Sequence, residues 1–341
     1  MTRAERAAAA VALLTALWAV SAAGAQGLSP AGPPDQVLDE VLVLGEQPGP
    51  AMWKVSRDGH TMWIMGTLSP LPAKMTWRSQ PVEAVIARSG EVLGNTSARG
   101  RADIGLFGAL RLIPSLLRAR DNPDGATLQA AMPADIYTRF SAMHQRFFGE
   151  APNPKEKRRP LFAADELYRQ ALKKSGLTEN SPVWPTVEKL AKRHKVRIRE
   201  RQIDFKVEDP KGLIADLALI ERDKEVACLV GTMDYIDREL PNIKRRARAW
   251  AIGDMPTLRS LPAAVDRDDC LDALLDALRP RLDEQIKQVK SQIEADRTGI
   301  LSWMVLTYDT SFTALPVEDL LRSDGLVAGW RAAGYTVEEP Q

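Results

Sequence analysis

Between residues 52 and 94 the apolar positions come in short runs separated by turn chemistry. Trp53-Lys54-Val55 and Met62–Met65 each read as a strand, and Ser56-Arg57-Asp58-Gly59-His60 between them carries an Asp-Gly hairpin signal. Gly66-Thr67-Leu68-Ser69 then falls where the second strand ends, before Pro70 and Pro72. Turns at strand ends are where open α/β sheets place ligands. Val82, Val85 and Ile86 share one face of a helix expected over Pro81–Ser89, and Glu91–Gly94 reads as the next strand. The far end repeats the strand, turn and helix order. Ser311–Ala314 leads into Leu315-Pro316, a helix through Glu318-Asp319-Leu320-Leu321 and a last strand around Thr336-Val337.

The middle of the chain has helical periodicity. Ile104–Arg118 is expected to be helical but interrupted at Pro114, Pro133–Phe147 to open on its proline, and Leu161–Ser175 to close at Gly176. Thr186–His194 is a further helix, followed by a strand from Lys195 toward Phe205 and Val207. Asp209-Pro210 opens a helix to about Ile220. Glu221–Arg248 should break at Pro241, and Cys270–Thr298 should be divided or kinked at Pro280. The fold class expected is α/β or α+β. Strands from the two ends share one sheet, and a mainly helical middle, about 104–306, covers it.

Residues 1–25 have the form of a secretory leader. Arg3 and Arg6 precede the apolar run Ala7–Val20, and Ala23-Gly24-Ala25 offers a small-residue cleavage site before Gln26. The competing reading, a membrane anchor, needs a longer apolar run. The absence of a cysteine after the site argues against a lipoprotein. A periplasmic or secreted location follows, with no stable membrane span after cleavage. Residues 26–50 read as a flexible lead-in with one short strand, Val41–Leu44, and residues 51–341 as a single domain.

Charge and histidine content narrow the chemistry. Lys and Arg number 46 against 45 Asp and Glu, a balance without the footprint of a nucleic-acid binder. His60, His144 and His194 have no second His or Cys at ligand spacing. Surface histidine is the reading for all three, and no metal or cofactor is expected. A hard-cation site from Glu83, Glu318 and Asp319 is the alternative. Ser69 lacks a nucleophile elbow and a histidine base. Glu318 and Asp319 suit the first turn of a helix. The Lys155–Arg159 run reads as a solvated loop. Of the tryptophans after the leader, Trp77, with Arg78, is the candidate wall of a cleft. Trp53, Trp63, Trp184, Trp250, Trp303 and Trp330 read as core. Cys228 and Cys270, the two cysteines of the chain, are expected to form a disulfide, the alternative being two buried thiols.

The residues from Met52 to Leu93 and from Ser311 to Val337 resemble the TraB/GumN family, which also contains the TIKI proteases, and the resemblance covers roughly Ala51 to Glu338. The family pattern runs strand, Gly-x-x-His, a Leu-Pro turn, helix and a strand ending in Glu, then a second Gly-x-x-His near the C-terminus. Here Gly66 stands at the first glycine and Ser69 at its histidine. The glutamate falls near Asn95, and Pro316 and Asp319 stand at the second glycine and histidine. The resemblance implies a site where the two turns face each other. It would be formed by Gly66, Ser69, Trp77, Arg78, Glu83, Glu318 and Asp319, with no confident catalytic residue. Loss of both histidines implies a non-catalytic protein that binds a peptide, saccharide or protein ligand, or acts as a scaffold. The alternative is a divergent peptidase-like hydrolase with a rebuilt site.

Overall fold

The structure is a computed structural model that describes residues 49–180, 182–261 and 268–340. The leader, its cleavage site and the strand expected at Val41–Leu44 lie outside the described residues. The chain opens with β1 (Met52–Arg57) and β2 (His60–Thr67). They are joined by a tight turn in which Asp58 and Gly59 both have positive φ, 52° and 86°, the backbone that Asp-Gly favours. After the short β3 (Leu71–Pro72) comes α1 (Gln80–Ile86), which buries Val82, Val85 and Ile86 as the periodicity requires. β4 follows, from Glu91 to Arg101.

The middle contributes α2 (Gly105–Arg118), α3 (Ala134–Phe148), α4 (Pro160–Lys174), β5 (Leu177–Thr178) and α5 (Val183–Arg193). Then come β6 (Arg197–Lys206), α6 (Pro210–Leu217), α7 (Arg222–Ala251), α8 (Met255–Ser260) and α9 (Asp268–Thr307). β7 (Thr310–Pro316), α10 (Val317–Leu321), α11 (Leu326–Ala332) and β8 (Thr336–Glu338) close the chain.

Among the described residues the main sheet has the order β6-β4-β7-β2-β1-β8. β6, β4, β7 and β2 run parallel, and β1 is antiparallel to β2 and β8. The two chain ends therefore meet in one sheet, which also takes in β6 from the middle. β2 lies inside the sheet with both faces covered. Its run is apolar rather than alternating, with Met62, Ile64 and Met65 fully buried, as expected of a parallel strand packed on two sides. Trp53, Phe312, Trp250 and the last turns of α9, through Leu301, Met304 and Val305, fill the same core. Each such aliphatic or aromatic side chain contributes about 1.5–3 kcal/mol by leaving water.

The interruptions expected at Pro114 and Pro241 and the division at Pro280 are corrected. Pro114, Pro241 and Pro280 all lie inside continuous helices. An interior proline costs about 3 kcal/mol through one missing donor and a ring clash. In α7, Leu229, Met233 and Ile236 are buried before Pro241, and Ile243, Ala247 and Trp250 after it. In α9, Leu274 and Leu278 precede Pro280, and Leu282, Val289 and Ile293 follow it, all buried. Packing on both sides of each of these two prolines outweighs the local cost.

The expected disulfide is present. Cys228 of α7 and Cys270 of α9 are bonded, 42 residues apart in sequence, with their Cα atoms 4.5 Å apart. The Lys155–Arg159 run is a correction at its last residue. Arg159 is 1% exposed, donates to the carbonyls of Leu217 at 2.6 Å and Ala119 at 3.3 Å, and pairs with the buried Glu225. A buried guanidinium is tolerated when its donors are met in this way. Trp303 also departs from the core reading, being 42% exposed.

Candidate functional site

The two turns singled out by the sequence leave the sheet side by side. β2 and β7 pair in parallel, with Met65 opposite Ala314, Gly66 opposite Leu315 and Thr67 opposite Pro316. Beyond β7, β4 contributes Leu93, whose carbonyl accepts a 3.2 Å hydrogen bond from Thr313 Oγ1. The pairing of β4 with β6 shifts register between Leu93 and Thr96, so Gly94 and Asn95 sit in a bulge. Bulges re-aim the chain at strand ends. The carboxyl ends of β2 and β7 and the mid-strand bulge of β4 thus bring together the backbone positions of Gly66, Pro316 and Asn95.

Gly66 is held from two directions. Its carbonyl accepts a 2.7 Å bond from the indole Nε1 of Trp250, and its amide donates to the Ala51 carbonyl at 3.3 Å. A Cβ at this position would lie 2.9 Å from the Trp53 ring and 3.1 Å from Val317 Cγ2. The glycine is needed because β1 and the first residue of α10 both close on it. Trp77 is buried edge-on against Trp250, with ring centroids 6.2 Å apart. It supports the indole that fixes the Gly66 carbonyl.

The side chains around this frame have several destinations. Ser69 is exposed and donates to the Glu179 carbonyl at 3.2 Å, which ties its turn to the segment after β5. Asp319 is buried in the first turn of α10, and Glu318 beside it is half-buried. Arg78 is exposed. Glu83 faces the end of α5, accepting from Arg193 at 2.7 Å and lying 2.9 Å from His194 Nε2. Hydrogen bonds from His194 and then Arg193 hold its carboxyl below the usual range. Of the other histidines, His144 is hydrogen-bonded, whereas His60 Nδ1 is buried without a hydrogen bond. His144 Nδ1 lies 2.8 Å from the Glu150 carbonyl and its ring stacks on Phe148. His60 Nδ1 is 3.8 Å from Asp309. Among the described residues no group of three or more His, Cys, Asp and Glu is placed to hold a metal ion.

Sequence reasoning placed Trp250 in the core without its bond to Gly66. The two residues are 184 positions apart, and no spacing rule links them. It also missed a cavity of about 500 Å³ beside β6, lined by Arg197, Arg199, Gln202 and Trp303. There the Arg199 guanidinium sits 4.6 Å from the Trp303 ring centroid and donates to the buried Glu91 at 2.7 Å.

The order of elements around the paired turns agrees with a family-wide comparison. The model of the TraB/PrgY/gumN family matches residues 51–339. The chain belongs to this family. No curated protein and no solved structure matches it. Within this TraB/PrgY/gumN chain, the match spans both turns and the whole helical middle, so the parallel pairing of β2 with β7 joins the two ends of the family region.

Proposed function

We propose that this TraB/PrgY/gumN-family chain is an exported, non-catalytic protein that holds a polar ligand at the joined ends of β2 and β7 beside the β4 bulge. The observation that carries this reading is the fate of the two positions where the resemblance implies histidine. One is Ser69, whose hydroxyl donates to the Glu179 carbonyl. The other is Asp319, buried in α10. Neither supplies an imidazole, the side chain suited both to proton transfer near neutral pH and to binding a borderline metal. A hydroxyl and a carboxylate can orient a polar ligand such as a peptide or saccharide. They give no ready route to an activated water without a matched base. Export is supported by the leader-like residues 1–25 and by the Cys228–Cys270 bond, which suits an oxidising compartment.

The test is direct. Protein purified without chelator is assayed for bound zinc and manganese and for cleavage of a mixed peptide pool. We expect neither stoichiometric metal nor turnover. Cleavage lost in Ser69→Ala or Asp319→Asn would establish the divergent hydrolase instead. Intact mass of the exported protein should begin at Gln26. A chain retaining Met1 would remove the export part of the reading.

A further inference from the structure

The most unusual surface of the molecule is α2. Its described side chains include none that is fully buried, yet its sequence is mostly apolar. Phe107, Leu110, Pro114 and Leu117 recur at helical spacing and form one stripe. Phe107 is 80% exposed, Leu110 51% and Leu117 49%, and Pro114 is exposed as well. Leu112, Ile113 and Leu116, displaced around the helix, are half-buried. α2 packs against α6, and Leu219, just past the end of α6, is 75% exposed and adds to the apolar surface. Monomeric proteins rarely leave such a stripe open without a use for it.

Charge indicates the occupant. The chain as a whole is balanced at net +1, whereas residues 99–120 hold five arginines and one acid, Asp103. Arg111 and Arg118 are exposed and border the stripe, and α2 itself contains no acidic residue. The stripe runs along the 14 residues of α2, about 21 Å. An apolar stripe with aromatic and leucine side chains, on a helix whose own charged residues are all arginine, matches a helix that lies in the headgroup region of a lipid layer. No described helix is long and apolar enough to cross a membrane, so the association is with the surface.

We propose that α2 docks the protein on an anionic lipid surface, with Phe107, Leu110 and Leu117 inserted and Arg111 and Arg118 on the headgroups. Two arginines near such a surface correspond to roughly 30-fold tighter binding than to a zwitterionic one. The experiment uses the full chain with its disulfide intact and a nitroxide at Leu110→Cys. Vesicles are either phosphatidylcholine alone or equal parts phosphatidylcholine and phosphatidylglycerol. With anionic vesicles the label should gain contact with dissolved oxygen and lose contact with an aqueous nickel chelate. Arg111→Ala with Arg118→Ala should bring the anionic preference down to a few-fold.

The label reports on α2 alone, so attachment through another segment leaves it in water and overturns the proposal. Shielding that grows with protein concentration in the absence of lipid would also overturn it, assigning the stripe to a second copy of this chain.

Discussion

Gly66→Ala tests the frame of the candidate site with a single methyl group. The added Cβ would lie 2.9 Å and 3.3 Å from two atoms of the Trp53 ring and 3.1 Å from Val317 Cγ2. A contact under 3 Å forces movement, and neither neighbour has open space. Trp53 is 0% exposed and Val317 4%. Overpacking of this kind costs about 1–3 kcal/mol, and replacing glycine returns about 0.4–1 kcal/mol through the unfolded chain. The net expectation is a loss of about 1.3 kcal/mol from the mid-range values, within limits of about 0–2.6 kcal/mol. Val317 begins α10, so relief of the clash should also displace Asp319 two residues later. Urea unfolding followed by tryptophan fluorescence reads the first effect directly. Gly329→Ala is the control, since that exposed glycine in α11 has nothing within 4 Å of its Cβ position. It should gain about 0.5–1 kcal/mol. A Gly66→Ala midpoint equal to or above wild type would refute the close-packing account of this glycine.

Three other changes have defined outcomes. Cys270→Ser opens a loop set by the 42-residue separation and should cost about 4 kcal/mol in the chain-entropy model; two free thiols in the unreduced wild-type chain would remove its basis. Arg159→Met strands the buried Glu225, whose carboxyl burial already pushes up against the pull of Arg159, and should cost about 3–5 kcal/mol. A carboxyl with a raised folded-state pKa adds stability in acid that is lost as pH rises, so the variant should be weaker at neutrality than in mild acid, and a flat pH profile would contradict this. Glu83 behaves oppositely, because His194 and Arg193 lower its pKa: its contribution is present above the ordinary carboxylate pKa and disappears as pH falls through the lowered value. Glu83→Gln should therefore differ from wild type in urea midpoint near neutrality and converge with it in strong acid.

Local chemistry made much of the sheet legible. Asp58-Gly59 marked its hairpin, the run Met62–Met65 marked a strand, and the repeated strand, turn and helix order brought the chain ends together. Asp209-Pro210 marked a helix start, and the Asp209 side chain does accept from the Gly212 amide at 2.8 Å. The prolines misled because their local cost is set against packing from segments far away in sequence. Arg159 misled for a related reason. A basic run looks solvated until two carbonyls and Glu225, 66 positions on, supply its partners. At the candidate site, sequence order located the turns, but the contacts that fix them span 110 residues for Ser69 with Glu179 and 184 for Trp250 with Gly66. Pattern reading reaches a few helical turns or one hairpin, and these contacts lie beyond that range.

The same geometry connects the candidate site to the apolar helix. β4 runs beside β7, passes through its bulge at Gly94 and Asn95, and continues to Arg101. Three residues later the chain enters α2. The continuation is anchored along its length by six paired positions with β6, Thr96 to Arg101, and by an ion pair from Arg101 to Asp204 at 2.8 Å. A strand paired in this way has little freedom to swing, so α2 and the bulge are carried on one stiff element with a three-residue joint. If α2 rests on lipid, the orientation of the joined strand ends relative to that surface is set by this strand and its short joint. A ligand at Gly66 and Ser69 would then be met at a restricted height and angle above the lipid. That constraint is useful to a binding protein, which gains by reducing the search for its partner.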